Sequence, residues 1–355
     1  MNCLWRYLST AALVGVFATT SVAQMFQVET FPHHVKIGEK HGFIDENCRL
    51  IAPPQFDDAS YFSEGLAPVE SGGKWGYIEK TGRLAIPLRF ASAGQFSDGL
   101  AGVQFDGRPH LWAYIDKTGT KVIEPKVSYP FTFREGLVEY YGEQNGVGGV
   151  PLGYLDKSGK QTIRVHQDGM RLEFLLGFFE GLARVAMAEQ DADGGLTHFL
   201  YGYIDHSGAW AIQRSFAAAG DFHDGLAAAT EDSIWGYIDK SGHWAIPPRF
   251  QAALDFYDGL AAVKMAGRWG FIDRNGAIVI APQFENYALF HEGMAMILIG
   301  HQFGYINKTG NVVVAPTFDS ASDFQNGVAA VKTGTMYEVI DKTGRVICHL
   351  DTQKP

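Results

Sequence analysis

The sequence has few cysteines, no long apolar run and no cluster of basic residues. Only three of its 355 residues are cysteine, and 29 Lys and Arg stand against 39 Asp and Glu, for a formal charge of −10. Beyond the N-terminus, no stretch approaches the roughly 18 apolar residues of a membrane-spanning helix. An acidic chain without a basic cluster lacks the electrostatic footprint of a nucleic-acid-binding protein. We therefore predict no transmembrane segment in the mature chain and no nucleic-acid partner.

The sequence also lacks the motifs around which many catalytic sites are built. It contains no G-x-S-x-G elbow, no H-E-x-x-H helix, no C-x-x-C pair and no glycine-rich phosphate loop. Its twelve histidines are scattered along the chain. We therefore predict a protein that is not an enzyme and that holds no cofactor or metal.

Residues 1–23 are typical of a secretory signal peptide. Arg6 supplies a positive charge, residues 8–18 form a short apolar run, and small residues precede a cleavage point after Ala23. An uncleaved anchor is the alternative. The signal predicts a secreted or periplasmic protein, in which residues 24–32 lead into the main body of the chain.

One stretch recurs nine times with small changes. Its clearest copy is Trp235-Gly236-Tyr237-Ile238-Asp239-Lys240-Ser241-Gly242. The position of Trp235 corresponds in the nine copies to His41, Trp75, Trp112, Leu152, Tyr201, Trp235, Trp269, Phe303 and Tyr337. The copies are 34 to 49 residues apart, which is the period of repeat arrays. We therefore predict one array over residues 33–350, with a tail at 351–355.

Each copy predicts strands and not paired helices, because its apolar residues alternate and glycine and proline interrupt it. In the clearest copy, residues 226–229, 235–239 and 244–246 form a three-stranded antiparallel meander. Asp239 and Gly242 suit the hairpin turn between the last two strands. The sequence thus predicts an all-β fold of nine such units.

The connection between units carries Phe250, Ala253 and Phe256 at a spacing of three residues. That spacing predicts a single tight helical turn that places two rings on the sheet. The connection ends at Asp258 and Gly259, and a comparable pair recurs once per unit. Because it recurs, we assign the pair to turn geometry: the acidic side chain satisfies the backbone beside a glycine with positive φ.

These residues resemble the WG repeat of bacterial secreted and envelope proteins. The second unit shows the motif as Lys74-Trp75-Gly76-Tyr77-Ile78, Gly82, Ile86-Pro87, Phe90 and Phe96. The resemblance implies repeated β structure and a binding role, with no shared catalytic residues. The departures are Ala113 in place of the glycine, Leu152 in place of the tryptophan, and Glu338 in the last unit.

Two architectures accept nine meanders. A closed β-propeller usually has about four to eight blades of four strands, whereas these units are shorter and both ends look complete. We therefore favour an open, solenoid-like stack, with the closed propeller as the alternative. Cys48 in the first unit and Cys348 in the last can form a disulfide only if the two ends lie side by side. Two unpaired thiols are the other possibility.

Candidate binding residues come from two features. Insertions within residues 140–200 interrupt the array, and insertions often project from a binding face. Trp210 and Trp244 share one position in neighbouring units, where they suit stacking on a sugar ring or, more simply, core packing. The candidates are Tyr140, Tyr141, Asp191, Asp193, Trp210 and Trp244.

The signal, the array and the missing catalytic motifs predict a binding module that holds a protein or an envelope polysaccharide. The alternative is a glycan hydrolase, with carboxylates in the 140–200 insertions or in the acidic turns. Glu173 and Glu180 are examples of such carboxylates.

Overall fold

The computed structural model describes residues 28–29, 31–107, 111–144, 147–165, 170–190, 196–286 and 288–351. The described residues form strands and turns without a helix, in nine antiparallel sheets, one for each unit. The predicted signal peptide lies outside these residues, as do most of the lead-in and of the tail.

The strands are given by unit. Unit 1 contains β2 His33–Ile37, β3 Lys40–Ile44 and β4 Leu50–Phe56. Unit 2 contains β1 Val28–Glu29, β5 Asp58–Ala59, β6 Phe62–Ser63, β7 Leu66–Ser71, β8 Lys74–Glu79 and β9 Leu84–Phe90. Unit 3 contains β10 Ser92–Ala93, β11 Leu100–Gln104, β12 Trp112–Asp116 and β13 Lys121–Val127. Unit 4 contains β14 Leu137–Gln144, β15 Val147–Asp156 and β16 Gln161–Ile163.

The remaining units have four strands each. Unit 5 contains β17 Arg171–Phe179, β18 Leu182–Gln190, β19 Leu196–Ile204 and β20 Trp210–Phe216. Unit 6 contains β21 Ala218–Ala219, β22 Leu226–Thr230, β23 Trp235–Asp239 and β24 Trp244–Phe250. Unit 7 contains β25 Ala252–Tyr257, β26 Leu260–Met265, β27 Arg268–Ile272 and β28 Ile278–Phe284. Unit 8 contains β29 Phe290–His291, β30 Met294–Ile299, β31 Gln302–Asn307 and β32 Val312–Phe318. Unit 9 contains β33 Ser320–Ala321, β34 Val328–Thr333, β35 Met336–Asp341 and β36 Val346–Asp351.

The predicted meander forms the main part of each sheet. In unit 6, β22 pairs with β23 and β23 pairs with β24, both antiparallel. Asp239 Oδ1 accepts hydrogen bonds from the backbone N–H groups of Ser241 (2.9 Å) and His243 (3.1 Å). Gly242 has a φ of 83°. These contacts confirm the hairpin turn that was predicted from the Asp and Gly positions.

The connection between units is not the predicted helical turn. In unit 7 it is strand β25, in which Ala253 pairs with Val263 and Phe256 pairs with Ala261. Because β25 advances three residues while its partner advances two, the strand contains a β-bulge. The bulge accounts for the three-residue spacing of the apolar side chains that suggested a helix.

The last strand of each meander lies at the outside of the molecule. Its first residues are exposed, as at Leu84 (47%), Ile278 (55%) and Val312 (54%). The middle strand is buried: Tyr237 has no exposed surface, and its hydroxyl donates to the carbonyl of Leu254 in the following connection at 2.7 Å. The connecting strand therefore lies on the inner side, and each unit is tied to the start of the next.

Neighbouring units pack through the glycine of the hairpin turn. A Cβ at Gly242 would lie 2.9 Å from Cγ2 of Ile212 in the preceding unit. The same contact recurs at Gly119 on Ile86, Gly159 on Ile123, Gly208 on Ile163, Gly276 on Ile246, Gly310 on Ile280 and Gly344 on Val314. The turn requires glycine for its positive φ and also for its contact with the neighbouring unit.

The acidic residues before the other recurring glycine also join neighbouring units. Glu64 has a φ of 52° and Gly65 a φ of 86°, as in the two central residues of a type I′ turn. The Glu64 carboxylate accepts a hydrogen bond from the N–H of Gly99, one unit further on, at 3.0 Å. The equivalent bonds join Asp98 to Gly136, Glu135 to Gly181, Glu180 to Gly225, Asp224 to Gly259, Asp258 to Gly293 and Glu292 to Gly327. The prediction that the acidic side chains accept hydrogen bonds from the backbone is confirmed. The N–H groups that donate these bonds belong to the next unit.

The nine units close into a ring. A disulfide joins Cys48 to Cys348, with 5.7 Å between their Cα atoms, and the rings of His33 and Tyr337 lie 6.4 Å apart. Cys48 occupies the turn-glycine position of unit 1, and Cys348 occupies the isoleucine position of unit 9. The disulfide therefore replaces the glycine contact found between other units.

The all-β array is thus a closed nine-bladed β-propeller, which was the alternative arrangement, and not the favoured open stack. Both ends look complete in the sequence because units 1 and 9 each form a sheet from their own strands. Within the described ranges, the ring is closed by side chains and not by a strand that one end lends to the other. Closure of this kind cannot be predicted from whether the strands at the two ends are complete.

Candidate functional site

Five charged side chains from units 4 to 7 interact on the inner side of the ring. We call them the axial cluster, and they are Arg134, Glu139, Arg184, Asp221 and Asp255. Arg134 of unit 4 interacts electrostatically with Asp221 of unit 6, and Arg184 of unit 5 with Asp255 of unit 7. Because blades that are not neighbours approach each other only near the axis of a ring, the cluster lies close to that axis.

Arg184 and Asp221 form an ion pair within the axial cluster. Arg184 Nε lies 3.2 Å from Asp221 Oδ1, and their side chains are only 19% and 16% exposed. The Arg184 guanidinium also donates to the carbonyl of Ala219, and the Asp221 N–H donates to the Asp255 carboxylate. A Cβ on Gly220 would overlap that carboxylate, so the glycine makes room for Asp255.

Glu139 is a buried carboxyl group of the axial cluster. It is 6% exposed, and among the described residues its Oε2 has no hydrogen-bond partner. A Cβ on Gly177 would lie 2.8 Å from Arg134 Cδ and 3.6 Å from Glu139 Oε1, so the missing side chain lets the two pack side by side. Buried polar atoms in folded proteins nearly always have partners, so the exception marks Glu139 as a candidate functional group.

Burial shifts the proton affinities of the axial cluster. It raises the pKa of Glu139 to about 7, despite the opposing charge of Arg134. Burial, together with the charge of Asp221, raises the pKa of Asp255 to about 7. Burial lowers the pKa of Arg134 and of the nearby His223. In both carboxyl groups, burial therefore favours the protonated form.

Four half-buried rings form an arc beside the axial cluster. We call Phe179, His223, Tyr257 and His291 the axial rings; they come from units 5 to 8. Their successive centroids are 5.1, 4.6 and 6.1 Å apart. The Tyr257 hydroxyl lies 3.2 Å from His223 Nε2, and the Arg134 guanidinium lies over Phe179 at 4.5 Å. Ring faces beside a few converging polar groups are typical of a ligand site.

The axial rings all occupy one repeat position, two residues before the glycine that follows the acidic residue, as Tyr257 precedes Asp258 and Gly259. In units 2 and 3 this position holds Ser63 and Ser97, whose hydroxyls donate to the carbonyls of Phe96 and Phe133 in the next unit at 2.7 Å. The serines therefore join units. Units 5 to 8 have rings at this position, whereas unit 4 has Arg134 and unit 9 has Gln325. The recurring turn was predicted correctly, whereas this change in the residue just before it was not predicted.

The two candidate tryptophans lie away from the axial cluster. Trp210 and Trp244 begin the outer strands β20 and β24 and are half-buried. Trp244 makes an edge contact with Phe216 at 5.8 Å, and Trp210 packs on the core of units 4 and 5. They are not brought together with the axial rings.

The candidates from the insertion differ in burial. Tyr141 is 6% exposed, and its hydroxyl donates to the carbonyl of Leu175 (3.2 Å) and accepts from its N–H (2.7 Å). Tyr140 is half-buried against the core around Tyr114. Asp191 and Asp193 lie outside the described residues.

The two example carboxylates of the hydrolase alternative have partners. Glu173 Oε1 lies 2.7 Å from Arg171 Nε, and burial raises its pKa. Glu180 accepts from the N–H of Gly225 at 3.0 Å and pairs with Lys240 at 3.1 Å, so it serves the contact between blades.

Replacing Glu139 with glutamine should stabilise the protein at high pH. The folded-state pKa of about 7 lies above the ordinary value of 4.5. Between pH 4.5 and 7 the unfolded chain has lost this proton while the folded protein keeps it. The free energy of unfolding of the wild-type protein therefore falls as the pH rises from about 4.5 to 7. At pH 8, Glu139→Gln should gain about 3 kcal/mol in free energy of unfolding, with no gain at pH 4. Denaturant titrations at both pH values measure the difference. Glu285→Gln, at a site 74% exposed, should show no such pH dependence.

The repeats match one family model, described as a WG containing repeat. It matches residues 42–75, 75–108, 112–140, 201–233, 235–269, 269–300 and 303–336, which is more than half of the chain. The chain belongs to the WG repeat family. In this WG repeat protein the glycine after the tryptophan has a steric cause: a Cβ at Gly236 would lie 2.5 Å from the carbonyl oxygen of Ile246 on the outer strand.

Solved structures similar to this WG repeat protein have low sequence identity to it. One structure of Hsv2 from Kluyveromyces lactis aligns over 75% of this chain and 100% of its own, with 7% identity and a TM-score of 0.42. Another Hsv2 structure aligns over 48% of this chain, with 9% identity and a TM-score of 0.33, and only 60% of that protein is covered. A puromycin hydrolase aligns over 91% of this chain and 54% of its own, with 12% identity and a TM-score of 0.39.

None of the curated protein sequences matches this WG repeat protein. Within the described ranges, the chain has no helix that is long and apolar enough to cross a membrane. Those ranges also contain no group of three or more His, Cys, Asp or Glu side chains arranged to hold a metal ion.

Proposed function

We propose that this WG repeat protein is a secreted or periplasmic binding module whose ligand is held at the axial rings. The observation that carries the proposal is that one repeat position holds a ring in four consecutive blades, at Phe179, His223, Tyr257 and His291. A feature that recurs in every blade serves the fold, whereas one confined to four neighbouring blades is available for recognition. The signal-like residues 1–23 support a location outside the cytoplasm.

The chemistry of the axial rings supports a saccharide as the ligand. Ring faces at Phe179 and Tyr257 suit the apolar side of a sugar, and carboxyl and guanidinium groups suit its hydroxyls. An envelope polysaccharide is the natural source of such a ligand for a protein in this compartment. At the axis of a ring, a chain end or a short stretch of the polysaccharide is a more suitable ligand than a long extended segment.

A glycan hydrolase is the second candidate function. It is supported by Glu139 and Asp255, two carboxyl groups whose pKa values of about 7 suit proton transfer at neutral pH. These groups replace Glu173 and Glu180 as the carboxylates to test. Release of reducing ends from a polysaccharide, lost in Glu139→Gln, would favour this activity over binding alone.

Tyr257→Ala should weaken saccharide binding about tenfold, because it removes one ring face from the middle of the arc. The experiment is a calorimetric titration of a panel of envelope polysaccharides and their oligomers. Trp244→Ala is the matched control, since it removes an aromatic side chain from an outer strand, and it should bind like wild type. Loss of binding in the control and not in Tyr257→Ala would move the site to the outer strands and refute the proposal.

A further inference from the structure

The axial cluster contains one more carboxyl group than it has guanidinium groups. Glu139, Asp221 and Asp255 provide three carboxyls, and Arg134 and Arg184 provide two positive charges. Arg184 is engaged with Asp221 at 3.2 Å and with a backbone carbonyl. A buried carboxylate is stable only when it is paired, and Arg134 and Arg184 cannot pair with all three carboxyl groups in their charged form.

The position of the missing positive charge is beside Glu139. Its Oε2 is buried and has no donor among the described residues, and its Oε1 packs beside Arg134 over Gly177. Within the described part of the chain, the groups that interact electrostatically with Glu139 are Arg134, Asp221, Tyr114, Tyr141 and Tyr154. The three tyrosines are buried, and their burial raises their pKa values well above neutral, so they stay uncharged. Among these groups, therefore, only Arg134 is a cation.

The axial rings also suit a cation. Phe179 and Tyr257 present aromatic faces, which attract ammonium groups as well as sugar rings. The carboxylates at the neighbouring turns do not add to this attraction, because Glu180, Asp258 and Glu292 are paired with lysines.

We infer that the axial cluster binds one ammonium group through Glu139 and that the saccharide ligand is an amino sugar with a free amine. This inference rests on the proposed function and narrows its ligand class. Without ligand, the Glu139 carboxyl group is protonated and uncharged, so it needs no cation beside it. Binding of the ammonium therefore releases about one proton from Glu139 in the pH range where that group is protonated.

The experiment compares two oligomers of equal length at pH 6, a glucosamine tetramer with protonated amines and its fully N-acetylated form. Calorimetric titrations in two buffers of different ionisation enthalpy give both the affinity and the number of protons released. The glucosamine tetramer should bind at least about tenfold more tightly, with release of a proton. Glu139→Gln should remove both the preference and the proton release, and an unfolding midpoint no lower than that of the wild type shows that the variant is folded.

The outcomes separate the inference from the proposed function. Equal or tighter binding of the acetylated tetramer, or a preference that survives in Glu139→Gln, overturns the inference and leaves saccharide binding intact. Binding of only another glycan from the panel, abolished by Tyr257→Ala, also overturns the inference and supports the proposed function. If no glycan binds, both are wrong.

Discussion

Reduction of the Cys48–Cys348 disulfide should lower the thermal midpoint of this protein by on the order of 10 °C. The bond joins residues that are 300 positions apart, so it removes the chain entropy of a very long loop from the unfolded state. In the chain-entropy model, a loop of this length corresponds to about 6 kcal/mol in the free energy of unfolding. Calorimetry with and without reductant measures the shift, and the double variant Cys48→Ser/Cys348→Ser should match the reduced wild type.

A second double variant tests whether the disulfide occupies an ordinary contact between blades. Cys48→Gly/Cys348→Ile recreates the pair that other interfaces use, as at Gly242 and Ile212. It should be more stable than the double serine variant and insensitive to reductant. An unchanged midpoint for the reduced wild type would contradict closure through this bond.

Gly236→Ala should destabilise the ring by on the order of 3 kcal/mol. The new Cβ would lie 2.5 Å from the carbonyl oxygen of Ile246 and 2.7 Å from the nitrogen of Pro248. Both atoms belong to the backbone of the adjacent strand, so the clash is relieved only if the strand pair separates. Chemical denaturation of the variant and the wild type measures the cost.

Unit 3 provides the control for this substitution, because it has Ala113 at the same position, fully buried. Its strand pair already accommodates a Cβ, so Ala113→Gly should cost less than about 1 kcal/mol, the ordinary penalty for glycine in a strand. If Gly236→Ala is as mild as Ala113→Gly, the steric explanation of the WG motif is wrong.

The local structure of each blade could be predicted from the sequence, since it depends on short-range chemistry. The turn at Asp239 and Gly242 follows from an acceptor side chain and a positive φ, and the strands follow from alternation. The connection was mistaken for a helical turn because a β-bulge and a helical turn both place apolar residues three apart. Pairing of Ala253 with Val263 and Phe256 with Ala261 distinguishes the two, and that pairing is not local.

The arrangement of the blades was harder to predict, because closure depends on a small rotation between neighbours that no single residue encodes. The one long-range signal was the alignment of Cys48 with the turn glycine and of Cys348 with the isoleucine. Those two positions turn out to be contact partners between other blades. The axial cluster was missed for the same reason: Arg134, Asp221 and Asp255 are separated in sequence and meet only in a ring.

Small-angle X-ray scattering of the oxidised protein, prepared from residue 24 onward, tests the closed ring most directly, and with it the axial site. A closed ring of these roughly 330 residues should have a radius of gyration of about 20 Å. Nine sheets stacked openly at about 10 Å would instead form a body roughly 90 Å long. A compact particle is the expected result. An elongated one would contradict the ring, and Arg134, Asp221 and Asp255 would then have no common axis on which to meet.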